Sequence, residues 1–238
     1  MSRRRATTGQ GAGDADGTPA RLARVLDDLI ATHAVGAADV AAARATYEAR
    51  RGKVHDDAPT WERWSAAFVE WFVVERVAPG ARWPVAAASL GTPGADDDAI
   101  RALCTSWRSL FEVVALERGV ARLVDLLGGA EVEVGEPRAL LGVTVGDVAE
   151  LRLVGLAGEV VFARTFIFHP ALARDTIVEH ARTLLAAGAA RRDVIDVMAR
   201  ARLMLDRVVD PRLAVSAHRQ AAARRVYEPG GASPTSKR

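Results

Sequence analysis

The sequence predicts an α+β chain with an N-terminal helical region, a central small antiparallel β-meander or partly open barrel, and a C-terminal helical hairpin. Two switches of hydrophobic period carry this reading. Up to Trp107 the apolar residues recur at three- and four-residue spacing. From Leu110 to Phe168 they alternate or run in short β-rich blocks between glycine turns, and beyond His169-Pro170 the 3.6-residue period returns. Five short strands between tight glycine turns suit a small antiparallel meander or open barrel.

The elements follow in order. Residues 1–17 hold Gly, Thr, Asp and Arg without apolar periodicity and read as a disordered tail. Thr18-Pro19 supplies an N-cap and first-turn proline, and Leu22, Val25, Leu26, Leu29 and Ile30 follow at helical spacing. A second, alanine-rich helix spans 37–51, with Arg50 and Arg51 favouring its C-terminal dipole and Gly52 its left-handed cap. Trp61, Trp64, Phe68, Trp71 and Phe72 mark a third helix, too wide in its aromatic face to be covered from one side. Asp96-Asp97-Asp98 opens a fourth helix carrying Ile100, Leu103, Cys104 and Trp107. Residues 18–108 thus form the helical region.

Residues 109–170 form the β-module. Its strands are Leu110 to Leu116, Val120 to Leu127, Glu131 to Val134, Gly146 to Val154 and Val160 to Phe168, with Phe162, Phe166 and Phe168 on one face. Residues 171–227 return to helix. Ile177, Ala181, Leu184 and Leu185 anchor one helix, and Val194, Val197, Met198, Ala201, Leu205 and Val208 stripe the next. Ile195, Leu203 and Met204 give that second helix another apolar edge, which the β-module or a second copy of the chain must cover. Asp210-Pro211 caps a basic helix running to Tyr227, and 228–238 is a disordered tail.

Composition narrows the function classes. Half of the 238 residues are hydrophobic and mean hydropathy is +0.05, which supports a packed core. No apolar run approaches the roughly 20 residues of a membrane span. One cysteine, Cys104, excludes a disulfide framework and a multi-thiolate zinc site, and its place beside Leu103 and Trp107 predicts a buried inert thiol. Lys+Arg at 32 against Asp+Glu at 30 leaves only +2, so the pI of about 9.1 is weak evidence for nucleic-acid binding. With no Asn and two Lys, the arginine excess reads first as the codon usage of a GC-rich genome. A cytoplasmic location and no cofactor are the expectations.

Motifs are sparse. Gly11-Ala12-Gly13 lacks the strand and helix that a phosphate loop needs, and no nucleophile elbow is present. His55-Asp56, with His33 upstream and Asp97 downstream, could be cast as the metal set of an HD-like hydrolase. The pair falls in a loop between Gly52 and Pro59, where that family carries it on a helix. Glu179 and His180 are adjacent on a helix and diverge too far to chelate one ion. Residues 191–238 contain 11 Lys+Arg against 5 Asp+Glu. Arg212, Arg219, Arg224 and Arg225 are therefore the candidate nucleic-acid contacts. At about 100° per residue only Arg212 and Arg219 share a face, which fits loose phosphate contact better than groove reading.

Ser109-Leu110-Phe111-Glu112-Val113, Asp125-Leu126-Leu127-x-Gly129, Gly146-Asp147-Val148 and Phe168-His169-Pro170 resemble an uncharacterised group of bacterial hypothetical proteins. Some of that group carry a Cys-rich SEC-C zinc motif, which a single cysteine excludes here. The resemblance implies a small β-module flanked by helices and supplies no catalytic residue. The leading functional expectation is a non-enzymatic interaction protein, contacting a protein partner or, weakly and without sequence preference, nucleic acid. The alternatives are the metal-dependent hydrolase and a self-assembling structural subunit, the latter as a homodimer through 191–209. A membrane partner is not expected.

Overall fold

The computed structural model describes residues 17–33, 37–117, 119–135, 142–206 and 214–223. Both predicted tails, apart from Gly17, lie outside them, as do Gly11-Ala12-Gly13, Asp210-Pro211 and Tyr227. The described helices are α1 (Thr18–His33), α2 (Ala37–Arg51), α3 (Trp61–Val74), the single turn α4 (Val85–Ala88), α5 (Asp97–Cys104), α6 (Arg174–Ala186), α7 (Arg191–Asp206) and α8 (Ala214–Ala223). The strands are β1 (Trp107–Glu117), β2 (Val120–Asp125), β3 (Glu131–Gly135), β4 (Val148–Leu156) and β5 (Glu159–His169). The α+β class is as the period switches predict. No described helix is long and apolar enough to cross a membrane.

The strands form one antiparallel sheet in the order β3-β2-β1-β4-β5. Residues of β3 and β5 approach each other, but no ladder joins these edges, so the sheet is not closed into a barrel. The β4–β5 hairpin turns on Ala157 and Gly158, both at positive φ, as a two-residue loop matching strand twist requires. The two faces of the sheet differ in cover. One carries Phe111, Leu123, Ala149, Leu151 and Phe162, with Phe166 and Phe168 packed against them. The other meets helices throughout: Leu110 and Val148 join α6 and α7, while Val154, Leu156 and Val161 join α1, α3 and α5.

The aromatic helix α3 is covered on several sides, as its width demands. Phe68 and Phe72 pack with α1 and α2, while Trp64 meets Ala199 and Leu203 of α7. Trp107 departs from expectation, because α5 stops at Cys104 and Trp107 begins β1. Of the second apolar edge of α7, on which the expected homodimer through 191–209 draws, Ile195 and Leu203 are buried within the chain and Met204 is half-buried. Ile195 packs with α6 and β1, and Leu203 with Trp64 and Val54. Leu203 further touches the end of α2, where Gly52 has φ +95° and an added Cβ would come within 2.8 Å of Leu203 Cδ2. This contact brings Arg50 and Arg51 against α7.

Candidate functional site

Alternation along β4 puts Val148, Glu150, Arg152 and Val154 on the helix-facing side of the sheet. Glu150 and Arg152 are therefore buried, at 4% and 3% exposure. Across the β1–β4 ladder Arg108 sits directly opposite Arg152, and Leu110 opposite Glu150. Two guanidiniums facing each other on adjacent strands repel. The surrounding helices supply the compensation.

A chain of alternating charges runs across the helix-facing side. Arg50 reaches Asp193 and Asp196 of α7 at 2.6 and 2.7 Å. Arg51, 1% exposed, bridges Asp196 at 3.1 Å and Glu150 at 2.5 Å, and its guanidinium lies over the rings of Tyr47 and Trp64. Arg108 donates to the other oxygen of Glu150 at 2.9 Å and to Glu75 at 2.8 Å. Glu75 also pairs with Arg152, whose Nε stands 3.6 Å from Glu70. Thr165 donates to Glu70 at 2.8 Å. Removing four guanidiniums and their carboxylates from water is costly, and it is tolerable here because nearly every member has an opposite charge on each side.

The acids of this chain are tuned in opposite directions. Burial pushes Glu75 up, but Arg108 and Arg152 outweigh it and pull its carboxyl down to about 2. Glu150 is also held below the usual range, since burial is overcome by Arg51 and Arg108. Glu70 goes the other way: burial outweighs Arg152 and the Thr165 hydrogen bond and raises its carboxyl. Behind the chain lies a cavity of about 10 Å³ bounded by Glu70, Arg108, Glu150 and Arg152, the size of a single water.

The solvent end of this network is a cleft of about 380 Å³ where α3, the α5–β1 connection and the start of α7 meet. Arg108, Arg152, Arg191 and Arg192 line it against one carboxylate, Glu75. The neutralising carboxylates of Glu150 and Asp125 are buried behind the arginines. Arg191 is held by Asp125 and donates to Ser109 Oγ at 3.2 Å, with its guanidinium 5.9 Å from the Trp107 ring. Ser109 in turn donates to Asp125 at 2.5 Å, so its hydroxyl is committed and buried. Gly128 makes room for this pair, since a Cβ there would stand 2.6 Å from Asp125 Oδ2 and 2.8 Å from Arg191 Nη1. Arg192 projects outward with 71% of its side chain exposed.

Cys104 corrects the expectation of a buried thiol: it is exposed on the wall of the cleft. Ala99, Ile100, Ala102 and Leu103 take the inward face of α5, and the helix ends at Cys104 itself. Partial burial raises its thiol pKa, so it is no activated nucleophile.

The other residues singled out by sequence are not brought together. His33 is 3.0 Å from Ser89 Oγ, and Asp97 accepts from the Gly91 amide and pairs with Arg101. His55 and Asp56 are exposed in the loop after α2. Among the described residues no three of His, Cys, Asp and Glu could hold a metal ion. Asp96 caps α5 by accepting from Ala99 and binds Arg21 at 2.6 Å, the local electrostatic role its position suggests. Arg219 is exposed on α8, while Arg212, Arg224 and Arg225 lie outside the described residues.

No protein-family model matches the chain, and neither does any curated protein or solved structure.

Proposed function

We propose that this chain is a non-enzymatic binding protein that takes an acidic segment of a protein partner into the arginine-lined cleft. The observation that supports the reading is the separation of charge at the cleft: among the described residues four guanidiniums line it, with Glu75 the single acidic side chain among them. A volume of about 380 Å³ lies within the range of ordinary ligand sites. Guanidinium forks match carboxylates in shape, and the buried carboxylates fix their positions before a partner arrives. A larger cleft of about 550 Å³ beside α6 is less suited, because Arg174 and Arg182 are offset there by Asp125, Asp175 and Glu179.

Cys104 provides the readout. Its rate of alkylation by a maleimide is measured with and without an octaglutamate peptide at low ionic strength. The peptide should slow labelling about fivefold or more, and added salt should restore it. Unchanged labelling would overturn the proposal. Stronger protection by duplex DNA than by the peptide would also overturn it and assign the cleft to nucleic acid.

A further inference from the structure

We propose that the imidazoles of His169 and His218, with His180 beside them, form an acid-sensitive latch that holds α8 against the body of the protein. This inference stands apart from the cleft. His169 is the last residue of β5 and His218 comes from α8; they are 3% and 0% exposed, with ring centroids 5.7 Å apart. None of their four ring nitrogens has a hydrogen-bond partner among the described residues, and neither does Nδ1 of the buried His180 on α6. His218 is the one fully buried side chain among those described in α8, where Val215 and Ser216 are half-buried and Arg219 and Gln220 exposed. The helix packs on α6, on α7 and on the short turn Ala171–Ala173.

Among the described residues, the charged groups around these rings give a proton no favourable place. Arg202 of α7 faces both His169 and His218, and Arg51 of α2 also faces His169. Glu150 of β4 is the carboxylate near His169, but Arg51 and Arg108 already occupy its oxygens. His180 faces His218, and the exposed Glu179 is the charged neighbour of His180. Burial first, then the neighbouring imidazole and these arginines, lowers His169 to about 3 and His218 to about 4, against 6.5 when free.

The sign follows from linkage. A histidine whose folded pKa is depressed stabilises docking above its free value, and that stabilisation is lost as pH falls from about 6.5 towards 4. His218 leaves with α8 and so weakens docking up to tenfold per pH unit, about 25-fold from pH 7 to pH 5, and His169, which stays on β5 beside Arg51 and Arg202, adds less than that.

Hydrogen exchange of the intact chain, corrected for intrinsic rates, tests the latch. Amides of α8 should lose protection by about 25-fold or more between pH 7 and pH 5, while those of β1 and β4 keep theirs. The His169→Leu/His218→Leu double variant should keep α8 protected at both pH values. Unchanged protection of α8 in the native chain would overturn the proposal, as would equal loss across the whole molecule or the same loss in the double variant. Protection at pH 7 that rises with micromolar Zn²⁺ and falls with a chelator would overturn it too, in favour of a metal site.

Discussion

Replacing Arg51 by Met removes the cation at the middle of the buried charge chain. Arg51 is the one guanidinium joining Glu150 to Asp196 at short distance, at 2.5 and 3.1 Å, and it is almost completely buried. Breaking a buried ion pair by deleting one partner costs about 3–5 kcal/mol, because the remaining charge stays desolvated. Glu150 retains Arg108 and Asp196 retains Arg50, which places the cost near the lower end, about 3 kcal/mol. For a chain of this size, with a urea m-value of about 3 kcal/mol/M, the unfolding midpoint should fall by about 1 M with m unchanged. The double variant Arg51→Met/Glu150→Leu removes the pair together and leaves Arg50–Asp196 and Arg108–Glu75 intact. It should recover at least half of the loss, a coupling of about 1.5 kcal/mol. A midpoint shift below about 0.3 M for Arg51→Met, or strictly additive single effects, would refute the reasoning that these charges depend on each other.

Three further outcomes follow from the same geometry. Glu75 is depressed from 4.5 to about 2, so its contribution is complete above pH 4.5 and lost as pH falls towards 2. Glu75→Gln should cost about 3 kcal/mol at pH 7 and flatten the acid limb of the stability profile in that window, whereas Glu70→Gln should be neutral or stabilising at pH 7, because the Glu70 carboxyl is raised; urea unfolding across pH separates the two. The Tyr47 hydroxyl is buried without a hydrogen-bond partner among the described residues, so Tyr47→Phe should stabilise by up to about 1 kcal/mol, read as a rise in thermal midpoint. Gly128→Ala should push Arg191 away from Asp125 and cost on the order of 1–3 kcal/mol, with a faster rate of Cys104 alkylation as the cleft wall loosens.

The fold was largely legible because it depends on period and punctuation. Phe162, Phe166 and Phe168 share the face their alternation predicts, and Ala157-Gly158 is one of the glycine turns between the strands. The candidate site was hidden for a specific reason. Glu150 and Arg152 alternate with Leu151 and Leu153, the pattern of a strand with one wet face, and both faces of this strand are covered. Polar residues on a doubly covered strand must be paired internally, and that signal appears only once helices are known to flank both ends of the β-module. Arg50 and Arg51 were explicable as helix-terminal cations, so their second role reaching Asp193, Asp196 and Glu150 had no local trace. Partners at sequence separations of 99 to 145 residues leave no spacing to read. The adjacency of Arg191 and Arg192 at the start of α7 was a visible cue, since cations there oppose the helix dipole and need another purpose.

Charge reversal at two exposed arginines separates recognition in the cleft from recognition on the basic C-terminal helix. Fluorescence anisotropy of a labelled octaglutamate peptide, at low salt, should be compared among the native chain, Arg192→Glu and Arg219→Glu. Both arginines are exposed; Arg192 lies 3.8 Å from the buried Asp193, which keeps its shorter pair with Arg50 at 2.6 Å in the variant. Reversing one charge at the rim should weaken binding about five- to tenfold in Arg192→Glu, while Arg219→Glu should match the native chain. An equal loss in both variants would mean nonspecific attraction to basic surface. A loss confined to Arg219→Glu would contradict the account outright and place the binding surface on α8.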